Sequence, residues 1–513
     1  MIMRRTRVLA AVAAVVMAAA CSPSEVPGTD GDGNGGSGGP VRFLIAENFW
    51  ADWVPYQSTA QSQQRLNVHL YDTLLQFPTG DLAEPEPMLA TDWEQVDETT
   101  WEFNLREDVT FHDGSDFTAE DVKASVEWAS GATDRSSVLA DRWVPTRVEV
   151  VDDYTARLVT EEPLASIFDA IRLTSIASAE DVEAGEQALG KAPNGTGPFE
   201  LDSETETRKS MVANPDYWAG PANIQALVWE FVGDAQTRVN ALRAGQADAI
   251  DRVPADQHPT LEEADGIVLE SMTAAEQVNL WTVPGRVPLW DDSPEFRRAV
   301  TLAIDRESLA TNLVKGNSVV AQSFMPSESL YYVEGDPSYE QDVEEAQRLV
   351  QEAGGEGQRV EVWAASGFLP AGVQVAQAIV QNLNEIGLDA KLVTTDVAGL
   401  VDDANAGNGG TGLLYHISWA SGGAPAAAVG IYGMPPWTDE DPRVAELIAR
   451  GKTATDSEER EQIYADLQAY MWEDLPHVPL YYSDFSVAYT DRLEGLRVLP
   501  NFETNFYPAS TSE

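Results

Sequence analysis

Apolar and polar residues alternate along Trp101-Glu102-Phe103-Asn104-Leu105, the period of a strand with one buried face. Phe111-His112-Asp113-Gly114 breaks that pattern as a turn, with Gly114 free to take positive φ. Thr118 then predicts the start of a helix. Its hydroxyl is placed to accept from the backbone N–H near Asp121, and Asp121 suits the positive end of the helix dipole. Val122, Val126 and Ala129 recur at helical spacing as the buried stripe.

The same two periods divide the rest of the chain. Val41–Ile45 is an apolar strand, followed by an aromatic loop over Glu47–Trp53. Val148–Val151 and Tyr154–Val159 flank Asp152-Asp153 as a hairpin. A helix carrying Val239 and Leu242 ends near Gly245, and Asn279–Thr282 is a strand. Ser293-Pro294 opens a helix with a side-chain cap and proline in its first turn; Phe296, Val300, Ala303 and Ile304 form its inner face. Further on, a helix striped by Val343, Ala346, Leu349, Val350 and Ala353 precedes a strand at Val360–Trp363, and a helix over Gln374–Ile386 precedes a strand at Asp389–Val393. Thr455 with Glu458 reads as a capping box for a helix bearing Ile463, Leu467, Tyr470 and Met471, and His477–Tyr482 is an apolar strand. This alternation predicts an α/β class with a mostly parallel sheet in the later half.

The first forty residues follow neither period. Arg4, Arg5 and Arg7 precede the apolar run Val8–Ala20, which is too short for a stable membrane anchor and reads as a signal peptide over residues 1–20. Ala18-Ala19-Ala20-Cys21 resembles a lipobox, which would make Cys21 the lipidated first residue. Residues 21–40 then read as that lipidated cysteine and a Gly- and Ser-rich disordered tether. Asp30–Gly35 mimics the start of a calcium loop, but Val41 stands where the last carboxylate ligand is needed.

With 513 residues the chain exceeds one core, so two or three domains are expected. It has 84 acidic against 32 basic residues, a net charge of −52, which argues against nucleic acid and anionic membrane as partners. Its single cysteine excludes an internal disulfide. The five histidines form no recognisable metal spacing, there is no P-loop and there are no repeats. No cofactor and no metal are expected, and an exported hydrolase would need a catalytic constellation that the chain does not display.

Several motifs occur in order. Asp72-Thr73-Leu74 comes first, then Leu105-Arg106 with Phe111–Gly114 and Ala119–Val122 (AEDV). Asn194–Phe199 (NGTGPF) and Asn214–Trp218 (NPDYW) follow, then Arg297-Arg298-Ala299 with Ala303–Arg306 (AIDR). Together they resemble the family 5 extracytoplasmic solute-binding proteins, the peptide- and nickel-binding receptors of ABC importers. The glycines and proline of NGTGPF suit a sharp crossover between domains. His112 and the Tyr217-Trp218 pair are read as structural. The resemblance implies a periplasmic-binding-protein-like fold, two α/β lobes around a hinged cleft plus an inserted third domain. Domain I would comprise residues 41–77, 193–282 and 479–513, domain II residues 78–192, and domain III residues 283–478. It also implies a monomeric, non-enzymatic receptor outside the cytoplasm, held to the cell membrane only by lipid on Cys21. That receptor would hand a peptide or small-molecule ligand to an ABC permease and its ATPase.

Peptide receptors of the family carry W-x-x-D in domain III, whose Asp pairs with the ligand's amino terminus. Here Trp419 is kept, but Gly422 stands in the place of the Asp. An ammonium buried without a counter-charge costs several kcal/mol. The ligand therefore stays open between a peptide, an oligosaccharide and another polar solute. The expected ligand-binding residues are Trp419, Tyr415, Phe49, Trp50, Asn279, Trp281 and Phe368; His416 is read as packed or hydrogen-bonded rather than as a nickel ligand.

Overall fold

The computed structural model describes residues 39–512 apart from 48–52, 58–60, 79–83, 136, 283–284, 317, 326, 328–330, 336–338, 397–398, 401–410, 418–440 and 500–502. Cys21, Phe49, Trp50, Trp419 and Gly422 lie outside the described residues.

The elements that position the site are, in chain order, β1 (Val41–Ile45), α1 (Gln61–Leu70), β2 (Ala90–Asp97), β3 (Thr100–Leu105), α2 (Ala119–Ala129), β4 (Thr146–Asp152), β5 (Thr155–Thr160) and α3 (Ile167–Leu173). There follow β6 (Phe199–Thr205), β7 (Arg208–Ala213), β8 (Ala226–Phe231), α4 (Ala235–Arg243), β9 (Ala249–Asp251) and the long β10 (Ile267–Thr282). The later half gives α5 (Pro294–Ala303), α6 (Val343–Glu352), β11 (Arg359–Ala365), α7 (Gly372–Glu385), β12 (Asp389–Thr395) and β13 (Thr411–Ile417). It ends with α8 (Pro442–Thr453), α9 (Ser457–Asp474) and β14 (Val478–Thr490).

An eleven-stranded sheet runs β12-β11-β13-β10-β14-β9-β1-β8-β7-β6, with Val319–Val320 added beside β14. Only the β12-β11-β13 and β9-β1-β8 groups are parallel; the strands between and beyond them pair antiparallel. The parallel pairing expected in the later half is found in β12-β11-β13 and stops there. Helical crossovers join the parallel groups, but β10 and β14 pass between them as antiparallel neighbours.

Those two strands also pass from one core to another. Ile267–Met272 of β10 pairs with Phe485–Thr490 of β14, where Phe485, Val487 and Tyr489 belong to the core built on Phe43 and Trp229. Val278 and Leu280 pair with Val478–Tyr481 and belong to a second core with Phe296, Val362 and Ile379. The register shifts between Met272 and Glu276, and again between Val278 and Asn279. Two strands with broken register make a narrow bridge between lobes.

A separate antiparallel sheet, β2-β3-β5-β4, carries α2 and shares the first core through Phe103, Leu105, Val148 and Leu158. At the start of α2, the Asp121 carboxylate accepts the Thr118 N–H (2.7 Å) and hydroxyl (3.1 Å). The two residues form a capping box, in which the Thr118 side chain also takes the Asp121 N–H as expected, and the Asp121 carboxylate closes the turn from the other side. Its other oxygen accepts the Ala179 N–H (2.7 Å), tying α2 to the short helix Ala179–Ala184. The cap of α9 is Asp456, which accepts the Glu459 N–H (2.8 Å), in place of the expected Thr455 and Glu458 box. A carboxylate one residue later satisfies the free N–H groups of the first turn directly.

The motif residues converge on one buried junction. Asp72, fully buried, accepts from the Thr196 hydroxyl (3.0 Å), the Tyr217 hydroxyl (3.1 Å) and Trp218 Nε1 (2.9 Å). The Arg106 guanidinium lies 3.8 Å from the centre of the Trp218 ring. His112 donates its backbone N–H to Gly195 O (2.9 Å), and its Nε2 lies 3.0 Å from Gly197 O. Gly195 and Gly197 do not have positive φ. They are required because a Cβ on either would fall within 2.0–2.6 Å of the Leu70 or His69 backbone. Close approach of two backbones, not the sharp crossover expected, is what selects glycine here.

Beside this junction lies fully buried His69. Its Nδ1 donates to Arg65 O (2.7 Å) and its Nε2 accepts the Phe506 N–H (3.0 Å), a pattern that only the neutral ring can make. Burial pushes His69 down to about 4 and pushes Asp72 up to about 7, against its three hydrogen bonds and Arg106. The signs are opposite. Asp72 contributes stability present below pH 3.8 and lost as pH rises through about 7; His69 contributes stability present above 6.5 and lost as pH falls through about 4. In an Asp72→Asn variant only the first is removed. Urea titrations should find the stability gap between parent and variant shrinking as pH rises from 4 to 7, by on the order of 1.4 kcal/mol per unit. A gap that stays constant or widens would contradict this assignment.

Candidate functional site

The strand β9 ends at Asp251, and the next residue, Arg252, takes φ +48. A non-glycine residue held there costs on the order of 1–3 kcal/mol and persists only where its surroundings fix it. Here the Arg252 N–H donates to Ser486 O on β14 (2.8 Å), and its side chain turns into the bridge between the lobes. Arg252 Nη1 lies 2.6 Å from Glu276 Oε1 on β10, both groups almost wholly buried. Glu276 Oε2 accepts the Ser483 hydroxyl (3.3 Å) from β14. Burial raises the Glu276 pKa, and Arg252 offsets part of that rise.

A second carboxylate stands behind this pair. Asp251 accepts the Ala46 N–H (2.8 Å) and Arg65 Nη1 (2.6 Å) from α1, with Arg238 Nε of α4 at 3.8 Å. Arg238 is held in place by the carbonyls of Val232 (2.6 Å), Gly233 (3.2 Å), Asp251 (3.3 Å) and Arg252 (3.3 Å). The Arg65 and Arg252 guanidinium groups lie over Phe485, at 5.0 and 5.7 Å from its ring centre. Charges placed in so dry a site interact far more strongly than on a surface.

The opposite lobe closes on this cluster. Phe368, in the loop after β11, receives the Arg252 guanidinium on its face at 4.6 Å. One residue earlier, Gly367 has φ +76, and a Cβ on it would come within 2.4 Å of Gly233 O. The two lobes therefore meet backbone to backbone beside an arginine, a carboxylate and an aromatic ring. That set can grip a ligand carrying both charges and a flat or apolar part.

Of the residues singled out in the sequence, Phe368 is brought onto this cluster. Asn279 and Trp281 are buried on β10, opposite Leu414 and Gly412 of β13. Asn279 Oδ1 has no hydrogen-bond partner among the described residues, and its Nδ2 lies 3.5 Å from Gln277 O. Tyr415 lies on β13 opposite Val278. Arg65, Asp251, Arg252 and Glu276 were not anticipated. The signal for them was present: an acid within the long β10, and an acid-arginine pair closing the short apolar β9. Among the described residues there is no group of three or more His, Cys, Asp or Glu that could hold a metal. No described helix is long and apolar enough to cross a membrane.

Residues 84–434 match the family described as bacterial extracellular solute-binding proteins, family 5 middle. The chain is 25% identical over 488 residues to the glutathione-binding protein GsiB of Escherichia coli, covering 91% of this chain and 94% of that one. It superposes on the periplasmic binding protein DppA of Helicobacter pylori, solved with the peptide STSA, with TM-score 0.81 and 23% identity over 93% of this chain and 98% of that one. It superposes on NikA of Staphylococcus aureus, solved with Ni(L-His)2, with TM-score 0.80 and 18% identity over 93% of this chain and all of that one. The two structural likenesses are likenesses of fold.

Proposed function

Because this chain belongs to the family 5 bacterial extracellular solute-binding proteins, we propose that it captures a peptide or similar polar solute between its two lobes. We propose also that it delivers this solute to an ABC permease and its ATPase. The observation that carries the reading is the Arg252–Glu276 pair, buried on the strand bridge and capped by Phe368 from the facing lobe. Glutathione, a peptide and a nickel complex of histidine are the ligands of the three compared proteins. All are amino-acid derivatives with carboxylate groups. A ligand of that kind would set its carboxylate against Arg252. Its ammonium would face Glu276, which supplies the buried negative charge that Gly422 does not.

In this reading the lobes exclude water as they close, which strengthens each polar contact. Ligand binds the closed form better and shifts the population toward it. Trp419, Tyr415, Phe49, Trp50, Asn279 and Trp281 remain proposed wall residues of the cleft beside Phe368. The division into domains I, II and III at the residues given above belongs to the same proposal. So do export by the leader, lipid on Cys21 as the only hold on the membrane, and a monomeric state. An oligosaccharide is the alternative ligand, supported by the aromatic residues proposed for the wall.

Native mass spectrometry of the purified protein, followed by mild unfolding, should release a defined small molecule with amino and carboxylate groups. Trp419→Ala should then weaken its rebinding about tenfold, the effect of losing one aromatic wall, with an unchanged melting temperature. Release of a neutral sugar would replace the peptide reading with the oligosaccharide one. Unchanged affinity in the variant would remove Trp419 from the cleft.

A further inference from the structure

Away from the bridge, a cavity of about 110 Å³ lies between α1, the segment after it, the end of α3 and the C-terminal hairpin of Arg497–Val498 with Thr504–Asn505. Three arginines line it, Arg65, Arg172 and Arg497, with one acid, Glu503. That inverts the balance of the chain, which has 84 acidic residues against 32 basic.

The surrounding charges keep the inversion. Arg65 shares Asp251 with Arg238. Arg172 shares Asp169 with Arg142, which is the nearer at 3.2 Å against 3.5 Å. Arg497 has no side-chain hydrogen bond or ion pair among the described residues. Across this set, five arginines stand against three carboxylates, Asp169, Asp251 and Glu503. Burial pushes Arg172 down to about 10, with Asp169 and Glu503 opposing the fall and Arg142 adding to it. A positive surplus is thus held around a cavity in a chain of net charge −52.

We propose that this cavity binds a small organic carboxylate, with its oxygens facing Arg172 and Arg497 and its carbon chain against Leu75, Phe77 and Leu173. An apolar cavity of about 150 Å³ holds benzene, so this one suits a molecule of about four to six heavy atoms, such as a short monocarboxylate. The carboxylate offsets the positive surplus and gives the exposed Arg497 a planar partner beside Arg172. The site is distinct from the cleft between the lobes, although Arg65 borders both.

Sodium butyrate, a carboxylate of six heavy atoms, is the probe, titrated calorimetrically into the purified protein against sodium chloride at equal ionic strength, with inorganic phosphate as a second arm. Saturable butyrate binding is expected in the millimolar range or tighter. Arg497→Gln, at an exposed position, should weaken it about tenfold or more, the effect of one charge-assisted hydrogen bond. The melting temperature of that variant should be unchanged without butyrate. Arg172→Gln should weaken binding at least as much. Absence of saturable heat, or equal binding in Arg497→Gln, overturns the proposal; tighter binding of phosphate overturns its carboxylate class. Trp419→Ala should leave butyrate binding intact. Loss of butyrate binding in that variant would place the anion in the cleft, whereas loss of cleft ligand alone bears only on the receptor reading.

Discussion

Gly195→Ala is expected to yield little or no folded protein. The added Cβ would stand 2.0 Å from Leu70 O and 2.6 Å from Tyr71 Cδ1, inside any attainable contact. The neighbours have no room to move. Gly197 N–H donates to the same Leu70 carbonyl (3.1 Å), the Gly195 carbonyl accepts from His112 (2.9 Å), and Thr196 between them donates to Asp72. Relief would break the junction, at a cost of more than about 4 kcal/mol, a large part of the stability of an ordinary domain. Gly114→Ala is the control. Gly114 has φ +85 but open space around its Cα, so alanine there should cost only about 1–2 kcal/mol of backbone strain. Soluble yield and urea midpoints check both. A Gly195→Ala protein as stable as the Gly114→Ala one would refute the close-approach account of the motif.

That contrast marks what could be read from the chain before its fold was known. The strands at Val41–Ile45 and Trp101–Leu105, the α2 helix and the Ser293 cap follow from local periods and side-chain chemistry, which act over a few residues. The Ser293 hydroxyl does accept the Phe296 N–H (3.2 Å). The motifs pointed to the family, but not to their own purpose. Asp72, His112, Gly195, Thr196, Tyr217 and Trp218 lie up to 146 positions apart, and only the fold brings them together. The site was harder still. Arg252 and Glu276 look like two ordinary charges in a chain with 116 of them. Their meaning comes from β10 and β14 crossing between cores, a non-local pairing that no sequence period encodes. Aromatic residues drew attention because they are scarce, whereas the buried charges were hidden by abundance.

Breaking the Arg252–Glu276 pair from either side should be severe. Glu276→Ala takes the carboxylate at 2.6 Å away from a guanidinium buried on the bridge between the Phe368 and Phe485 rings. Arg252→Ala leaves a carboxylate that is already raised by burial and has one hydroxyl donor at 3.3 Å. Each single change should cost about 3–5 kcal/mol, because the penalty is that of an unpaired buried charge and not only of a lost contact. Replacing both, as Arg252→Met with Glu276→Leu, removes both charges and keeps much of the volume, so the double variant should be more stable than either single one. Denaturant titrations of the four proteins would measure that coupling. Single variants costing under about 1 kcal/mol, with additive effects, would mean that the pair is screened by water and that the bridge is not dry. The double variant also separates structure from function. It should fold, yet lose the charges against which a zwitterionic ligand is proposed to bind. Retained affinity for that ligand in a stable double variant would move the recognition site off the bridge and leave Arg252 and Glu276 a purely structural role in joining the lobes.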